Sequence, residues 1–282
     1  MSLHTFEEML GAAQRGIYAI GSFNAWDIFS AKNIVSTAER MRSPVIISLW
    51  QPELDFAGEK QLYELCLSFA GTAAVPVALF IDHARSIEDV ERAIAFGATS
   101  VMIDGSQLPL AENIACTAHA AGIAHQAGIS IEGELGVLGE ENGSAPDTSL
   151  FTDAGEAEVF VEETGVDALA IAIGNAHGRY REVPKLDFDR LALIRSKLDA
   201  PLVLHGGSGI PPDDMGRAID LGITKVNIGV EARSAFMKGL REALEEHGEQ
   251  EQFPHRVFPR ALEYHAGLIA EKMQILRSSG RA

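Results

Sequence analysis

Pro76–Val90 reads PVALFIDHARSIEDV. Its first part, Val77–Ile81, is apolar at every position, as expected of a strand buried on both faces. The run stops on Asp82 and His83, two side chains that are costly to bury unpaired. After Ser86 the apolar residues Ile87, Val90 and Ile94 recur at three- and four-residue spacing, which predicts a helix. A buried strand, a polar pair at its end and then a helix make one β/α unit.

That unit recurs along the chain. GIYAIGSFN, PVIISL, PVALFID, TSVMIDG, GISIEGEL, ALAIAIG, PLVLHGG and TKVNIG are eight strand-length apolar runs. Helical patterns such as AWDIFSAKNIVSTAERM, PLAENIACTAHAAGIAHQAG and DFDRLALIRSKL lie between them. Pro44, Pro76 and Pro201 stand just before strands, and Gly97, Gly165 and Gly222 just after helices. Eight such units in 282 residues predict a closed α/β (β/α)8 TIM barrel forming a single domain over 1–282. An open doubly wound sheet is the competing arrangement, but no GxGxxG follows the first strand. The segment VFPRALEYHAGLIAEKMQILRSSGRA predicts an additional C-terminal helix, and GEENGSAPDTS is the longest loop candidate.

Composition narrows the function. A formal charge of −17 makes nucleic acid and anionic membranes poor partners, because phosphate attraction dominates such binding. The two cysteines, Cys66 and Cys116, fall in helical patterns as small hydrophobes rather than as a disulfide framework. With neither a cationic–apolar leader nor an apolar run of eighteen residues, the expectation is a cytoplasmic protein without a membrane span.

Barrel enzymes carry their chemistry at the C-terminal ends of the strands. Here those ends hold Asn24, then Asp82 and His83, Asp104, Glu132 and Glu134, His177, His205, and Asn227. The other six of the nine histidines fall in helical or terminal segments. Three histidines on one rim suit a three-imidazole site with an open position for substrate, and imidazole ligands favour zinc, with cobalt, manganese and iron as alternatives. The turn in VLHGGSGI, followed by Pro211 and Pro212 at a helix start, offers backbone N–H groups to a phosphate where this fold usually binds one.

Read together, SFN, DH, SVMIDGS, EGELG, AIGNAHGRY, LVLHGGSG and KVNIGVEARSAF, in this order over nearly the whole chain, resemble the class II, zinc-dependent ketose-bisphosphate aldolases that act on fructose and tagatose bisphosphates. The resemblance implies Zn2+ held by His83, His177 and His205, with Asp104 and Glu134 near the metal. It implies Asp82 as the acid/base at the C4 hydroxyl; the competing role for Asp82 is to cap the helix that starts near Ser86. It also implies Asn24, Gly178, Gly206, Gly207, Ser208, Asn227, Gly229 and Val230 around the substrate and its phosphate, a monovalent cation near that phosphate in some relatives, and a homodimer or homotetramer. The small-molecule partner would be a phosphorylated sugar, split into dihydroxyacetone phosphate and an aldehyde. Neither Lys185 nor Lys225 reads as a Schiff-base nucleophile, although the direction of the Lys225 side chain is open.

Three departures bear on substrate choice. The loop after the fifth strand is shorter than the family form; the resemblance implies Glu140 or Glu141 as the second proton carrier, and the competing reading is a merely solvated acidic loop. Val230 replaces a threonine whose hydroxyl helps to bind phosphate, a loss on the order of 1.5–3 kcal/mol if nothing substitutes. Trp50 stands where many relatives have a small polar residue, either reshaping the pocket or packing on the rim. A far phosphate would need a cation, and Arg179, Arg181, Arg233 and Arg281 are candidates. Two other functions use the same residues: a metal-dependent hydrolase or epimerase, and a non-catalytic sugar-phosphate sensor.

Overall fold

The computed structural model describes residues 2–139, 147–180, 182–248 and 253–282. Eight parallel strands close into a barrel in sequential order: β1 (Ile20–Asn24), β2 (Val45–Trp50), β3 (Val77–Ala84), β4 (Ser100–Ile103), β5 (Ser130–Leu135), β6 (Ala168–Ile171), β7 (Leu202–Leu204) and β8 (Ile223–Ile228). The helices are α1 (Phe6–Gly16), α2 (Ile28–Met41), α3 (Gln51–Ala57), α4 (Glu59–Ala70), α5 (Ile87–Ala95), α6 (Leu110–Gln126), α7 (Ala154–Thr164), α8 (Phe188–Lys197), α9 (Pro212–Asp220), α10 (Val230–His247) and α11 (Pro254–Ile275). This is the expected TIM barrel, with α11 as the additional C-terminal helix. No helix among the described residues is long and apolar enough to cross a membrane.

Nearly every strand residue is buried, which explains why these segments read as continuous apolar runs rather than alternating ones. Outward residues such as Ile47, Leu79 and Val101 pack under the helices, while inward residues share a separate cluster. That inner cluster, Ile20, Ile46, Ala78, Phe80, Met102, Ala168, Ala170 and Val203, is completed by Phe6, Met9, Leu10 and Ala13 of α1. Spacing of three and four puts those four on one face of the helix, and they close the N-terminal end of the barrel. Thr5 and Glu8 form a capping box at its start. The amide of Phe6 donates to Ser100 Oγ (3.1 Å) and that of Glu7 to Ser130 Oγ (3.0 Å). The Phe6 and Phe80 rings meet at 4.9 Å, and burying Phe6 completely contributes roughly 1.5–3 kcal/mol. With that end shut, any ligand must enter from the other.

Candidate active site

At the open end a cavity of about 740 Å³ is lined by Asn24, Trp50, Asp82, His83, Asp104, His177, Gly178, His205, Gly206, Ser208, Asn227, Gly229 and Val230, with Arg85, Arg179 and Arg233 at its margin. Consecutive strand residues normally point to opposite faces, yet Asp82 and His83 both reach it. The reason is local. The β3–β4 register shifts between Ile81 and Ala84, and His83 adopts φ 57°, a left-handed conformation rare for a residue with a side chain. The bulge turns His83 back toward the cavity beside Asp82, a strained arrangement of the kind found at functional sites. Asp82 does not cap α5; Ser86 does, accepting from the Asp89 amide, with Asp89 accepting in return.

The three strand-end imidazoles come together. Ring centroids of His83 lie 4.9 Å from His177 and 4.8 Å from His205. His83 Nδ1 is 2.8 Å from Asp104 Oδ2, and His205 Nε2 is 2.7 Å from Glu132 Oε1. Carboxylates only accept, so both those nitrogens donate, leaving His83 Nε2 and His205 Nδ1 facing each other at 3.1 Å. Burial pushes the His83 imidazole down, but the Asp104 hydrogen bond and the charges of Asp82, Glu134 and Asp104 outweigh it and bring it up to about 10. The 3.1 Å separation of His83 Nε2 and His205 Nδ1 is that of two ring nitrogens sharing one proton. Burial takes His177 down to about 4 and His205 well below the ordinary range, with the charge on His83 adding to both. His177 Nε2 is buried and lacks a hydrogen-bond partner among the described residues.

These residues fit a divalent metal ion. Ligand atoms of His83, His177 and His205 lie within 4.8 Å of one another, and so do those of His83, Asp104 and Glu134. An orphaned imidazole nitrogen beside a pair sharing one proton is what a cation would complete. Asp104 is fixed by the amide and hydroxyl of Ser106, and its carboxyl is held well below the usual range against its burial by His83 and Ser106. Burial moves the Glu134 carboxyl the other way, up to about 8.

Asp82 is oriented from two sides. Asn227 Nδ2 donates to Oδ1 (3.0 Å) and Ser48 Oγ to Oδ2 (3.1 Å). Burial pushes its carboxyl up, but the positive charges of His83 and Lys225 outweigh that and lower it. Next to it, the β7 and β8 loops form an anion cradle. Gly206, at φ 63°, runs so close to the loop after β6 that a Cβ would come within 2.0 Å of the Ala176 carbonyl oxygen. The Ser208 hydroxyl accepts from the Glu231 amide (3.2 Å) in the first turn of α10, and Gly229 and Val230 begin that helix. Helix starts of this kind favour negative charge.

The structure also settles the placement of several residues that the linear sequence left open or passed over. The Tyr180 hydroxyl accepts from the Ala176 amide (2.8 Å) and donates to the Gly206 carbonyl (3.0 Å), tying the His177 loop to the Gly206 turn. Lys225 points inward, fully buried, with Nζ 2.8 Å from Glu132 Oε2. Period two places Lys225 on the face of Asn227, a signal present in TKVNIG. Trp50 lines the cavity, with the Arg233 guanidinium 5.5 Å from its ring centroid. Of the candidate cations, Arg179 and Arg233 reach the margin, whereas Arg281 lies over Tyr18, the residue that leads from α1 into β1. Glu140, Glu141 and Arg181 lie outside the described residues.

Known proteins resemble this chain throughout its length. The family model described as fructose-bisphosphate aldolase class-II matches residues 4–281. The crystal structure of the YdjI aldolase from Escherichia coli K12 is 34% identical and superposes with a TM-score of 0.87, covering 99% of each chain. A fructose-bisphosphate aldolase from Campylobacter jejuni has the same fold at 22% identity, with a TM-score of 0.85, covering 100% of this chain and 97% of its own.

Proposed function

Because the chain belongs to the class-II fructose-bisphosphate aldolase family, we propose that it is a zinc-dependent aldehyde-lyase. It reversibly cleaves a ketose 1-phosphate or 1,6-bisphosphate to dihydroxyacetone phosphate and an aldehyde. The observation that carries this reading is the convergence of His83, His177 and His205 beside an oriented, ionised Asp82, at the floor of a cavity whose other wall is an anion cradle.

His83 Nε2, His205 Nδ1 and His177 would hold the metal, with Asp104 and Glu134 close enough to offer it a second position. A bound divalent cation supplies Lewis-acid stabilisation of the negative charge that develops next to the substrate carbonyl. The protein's own groups do the rest. Asp82 takes the proton from the C4 hydroxyl as the C3–C4 bond breaks and returns it in condensation, held in line by Asn227 and Ser48. Gly178, Gly206, Gly207, Ser208, Gly229 and Val230 surround the phosphate, and the helix start at Val230 favours its charge without the threonine hydroxyl. Asn24 and Trp50 line the same cavity and would contact the substrate there. The second proton, on the dihydroxyacetone carbon, falls to Glu140 or Glu141 on the strength of the resemblance. A homodimer or homotetramer in the cytoplasm, with a monovalent cation near the phosphate, completes the proposal.

The test is release of dihydroxyacetone phosphate from fructose and tagatose 1,6-bisphosphates by zinc-loaded protein, with and without chelator. Asp82→Asn should lower turnover by about 10²–10⁴ while leaving metal stoichiometry unchanged. Chelator-insensitive release, or an Asp82→Asn protein of undiminished rate, would overturn it.

A further inference from the structure

Lys225 and Glu132 are fully buried, and neither lines the cavity. The β8 register, with Lys225 opposite Ile20 on one side and Val203 on the other, turns its side chain into the barrel below the metal-binding centre. Lysine is almost never buried completely unless paired. Here Nζ lies 2.8 Å from Glu132 Oε2 and 3.1 Å from Oε1, with the Phe80 and Phe6 ring centroids at 4.2 and 5.4 Å. The oxygen it shares, Oε1, is also the acceptor for His205 Nε2 at 2.7 Å.

That shared oxygen matters because a neutral imidazole carries one proton, and the partner of one nitrogen decides which nitrogen keeps a free lone pair. His83 is arranged in the same way. Its backing carboxylate, Asp104, is gripped in turn by Ser106. Two histidines from different strands, each backed by a carboxylate that a third group holds, make a repeated device rather than an isolated ion pair.

We propose that Lys225 is a positioning residue: from the barrel floor it fixes the rotation of the Glu132 carboxylate, which makes His205 keep its proton on Nε2 and present Nδ1 to the metal-binding centre. This rests on reading His205 as a metal ligand. The competing role is a brace for the barrel floor, affecting stability alone.

The experiment compares wild type with Lys225→Met, with the double variant Lys225→Met/Glu132→Gln, and with Met9→Ala, a floor substitution remote in sequence from the ligands. Three quantities are read: melting temperature, zinc affinity by chelator competition, and the His205 tautomer from 15N-histidine spectra of the metal-free protein. Outer-shell loss of this kind lowers metal affinity by about 10–100-fold. Lys225→Met should show that loss and a mixed His205 tautomer. The double variant, which removes both buried charges, should melt nearer to wild type yet bind zinc as weakly as Lys225→Met. Met9→Ala should lower the melting temperature and leave affinity and tautomer unchanged. If Lys225→Met does not fold, the double variant decides alone. The proposal is overturned if either Lys225 variant keeps a single Nε2–H tautomer and zinc affinity within about twofold of wild type, well short of an outer-shell effect. Wild type that binds no zinc would overturn it together with the aldolase reading, whereas zinc-binding wild type with unaltered variants overturns this inference only.

Discussion

Glu53 gives the sharpest stability test in the structure. It lies in α3 behind Trp50 and is 8% exposed; Asn24 Nδ2 donates to its Oε2 (3.3 Å) and Arg233 Nε to its Oε1 (3.2 Å). Burial dominates and pushes its carboxyl up from an ordinary 4.5 to about 7, against the pull of Arg233. In the unfolded chain the proton leaves near 4.5, and in the folded protein near 7. Between those values the folded state binds more protons, so stability falls as pH rises through that window. At about 1.4 kcal/mol per pH unit the loss is on the order of 3 kcal/mol, complete above the folded value and absent below the unfolded one. Glu53→Gln keeps the shape and removes the ionisation. Its stability should match wild type at pH 4 and exceed it at pH 8 by that same order of 3 kcal/mol, read from urea denaturation midpoints at several pH values. Turnover should suffer in exchange, because Asn24 and Arg233 lose the carboxylate that holds them at the cavity wall. A variant less stable than wild type at pH 8 would refute the reasoning, since it would mean that pairing with Arg233 outweighs burial.

Tyr180→Phe removes both hydrogen bonds of the β6–β7 clasp and should cost about 1–3 kcal/mol in urea unfolding, with weaker zinc binding as the His177 loop loosens. Gly206→Ala places a methyl group against the Ala176 carbonyl and should raise KM for phosphorylated substrate by at least about tenfold, one decade of lost binding energy, while inhibition by a non-phosphorylated zinc chelator stays unchanged. Zinc binding should release close to one proton from His83, so affinity should rise with pH until about 10. Calorimetry in buffers of different ionisation enthalpy measures that release, and a pH-independent affinity between 6 and 8 would contradict it.

The eight strands were legible because parallel strands buried on both faces leave unbroken apolar runs, and proline and glycine mark their ends. The convergence of His83, His177 and His205 followed from the same reading, since strand ends in a closed barrel must meet. What lay beyond it was anything fixed by pairing between strands. His83 reaches the cavity through a bulge set by the β3–β4 register, and no local pattern in FIDHA announces a left-handed histidine. Tyr180 stands in a quoted motif, but its partners are backbone groups of two loops. The helical spacing of Phe6, Met9, Leu10 and Ala13 is plain in the sequence, whereas the end of the barrel it closes depends on Ser100 and Ser130. Trp50 had two possible roles, and the pairing of Trp50 with Asp82 across β2 and β3 turned it inward.

The anchoring of α1 bears on how the chain reaches this state. Its two amide contacts span 94 and 123 residues, so α1 leaves the ribosome without those anchors until β4 and β5 exist. Its apolar face is fully covered only once strands well beyond β3, among them those carrying Met102, Ala170 and Val203, have been made. Contacts of such long range slow folding and expose surface that associates with other chains. Folding of this barrel should therefore finish, rather than begin, with its first helix, and crowding or chaperone supply should affect yield more than they affect the finished molecule.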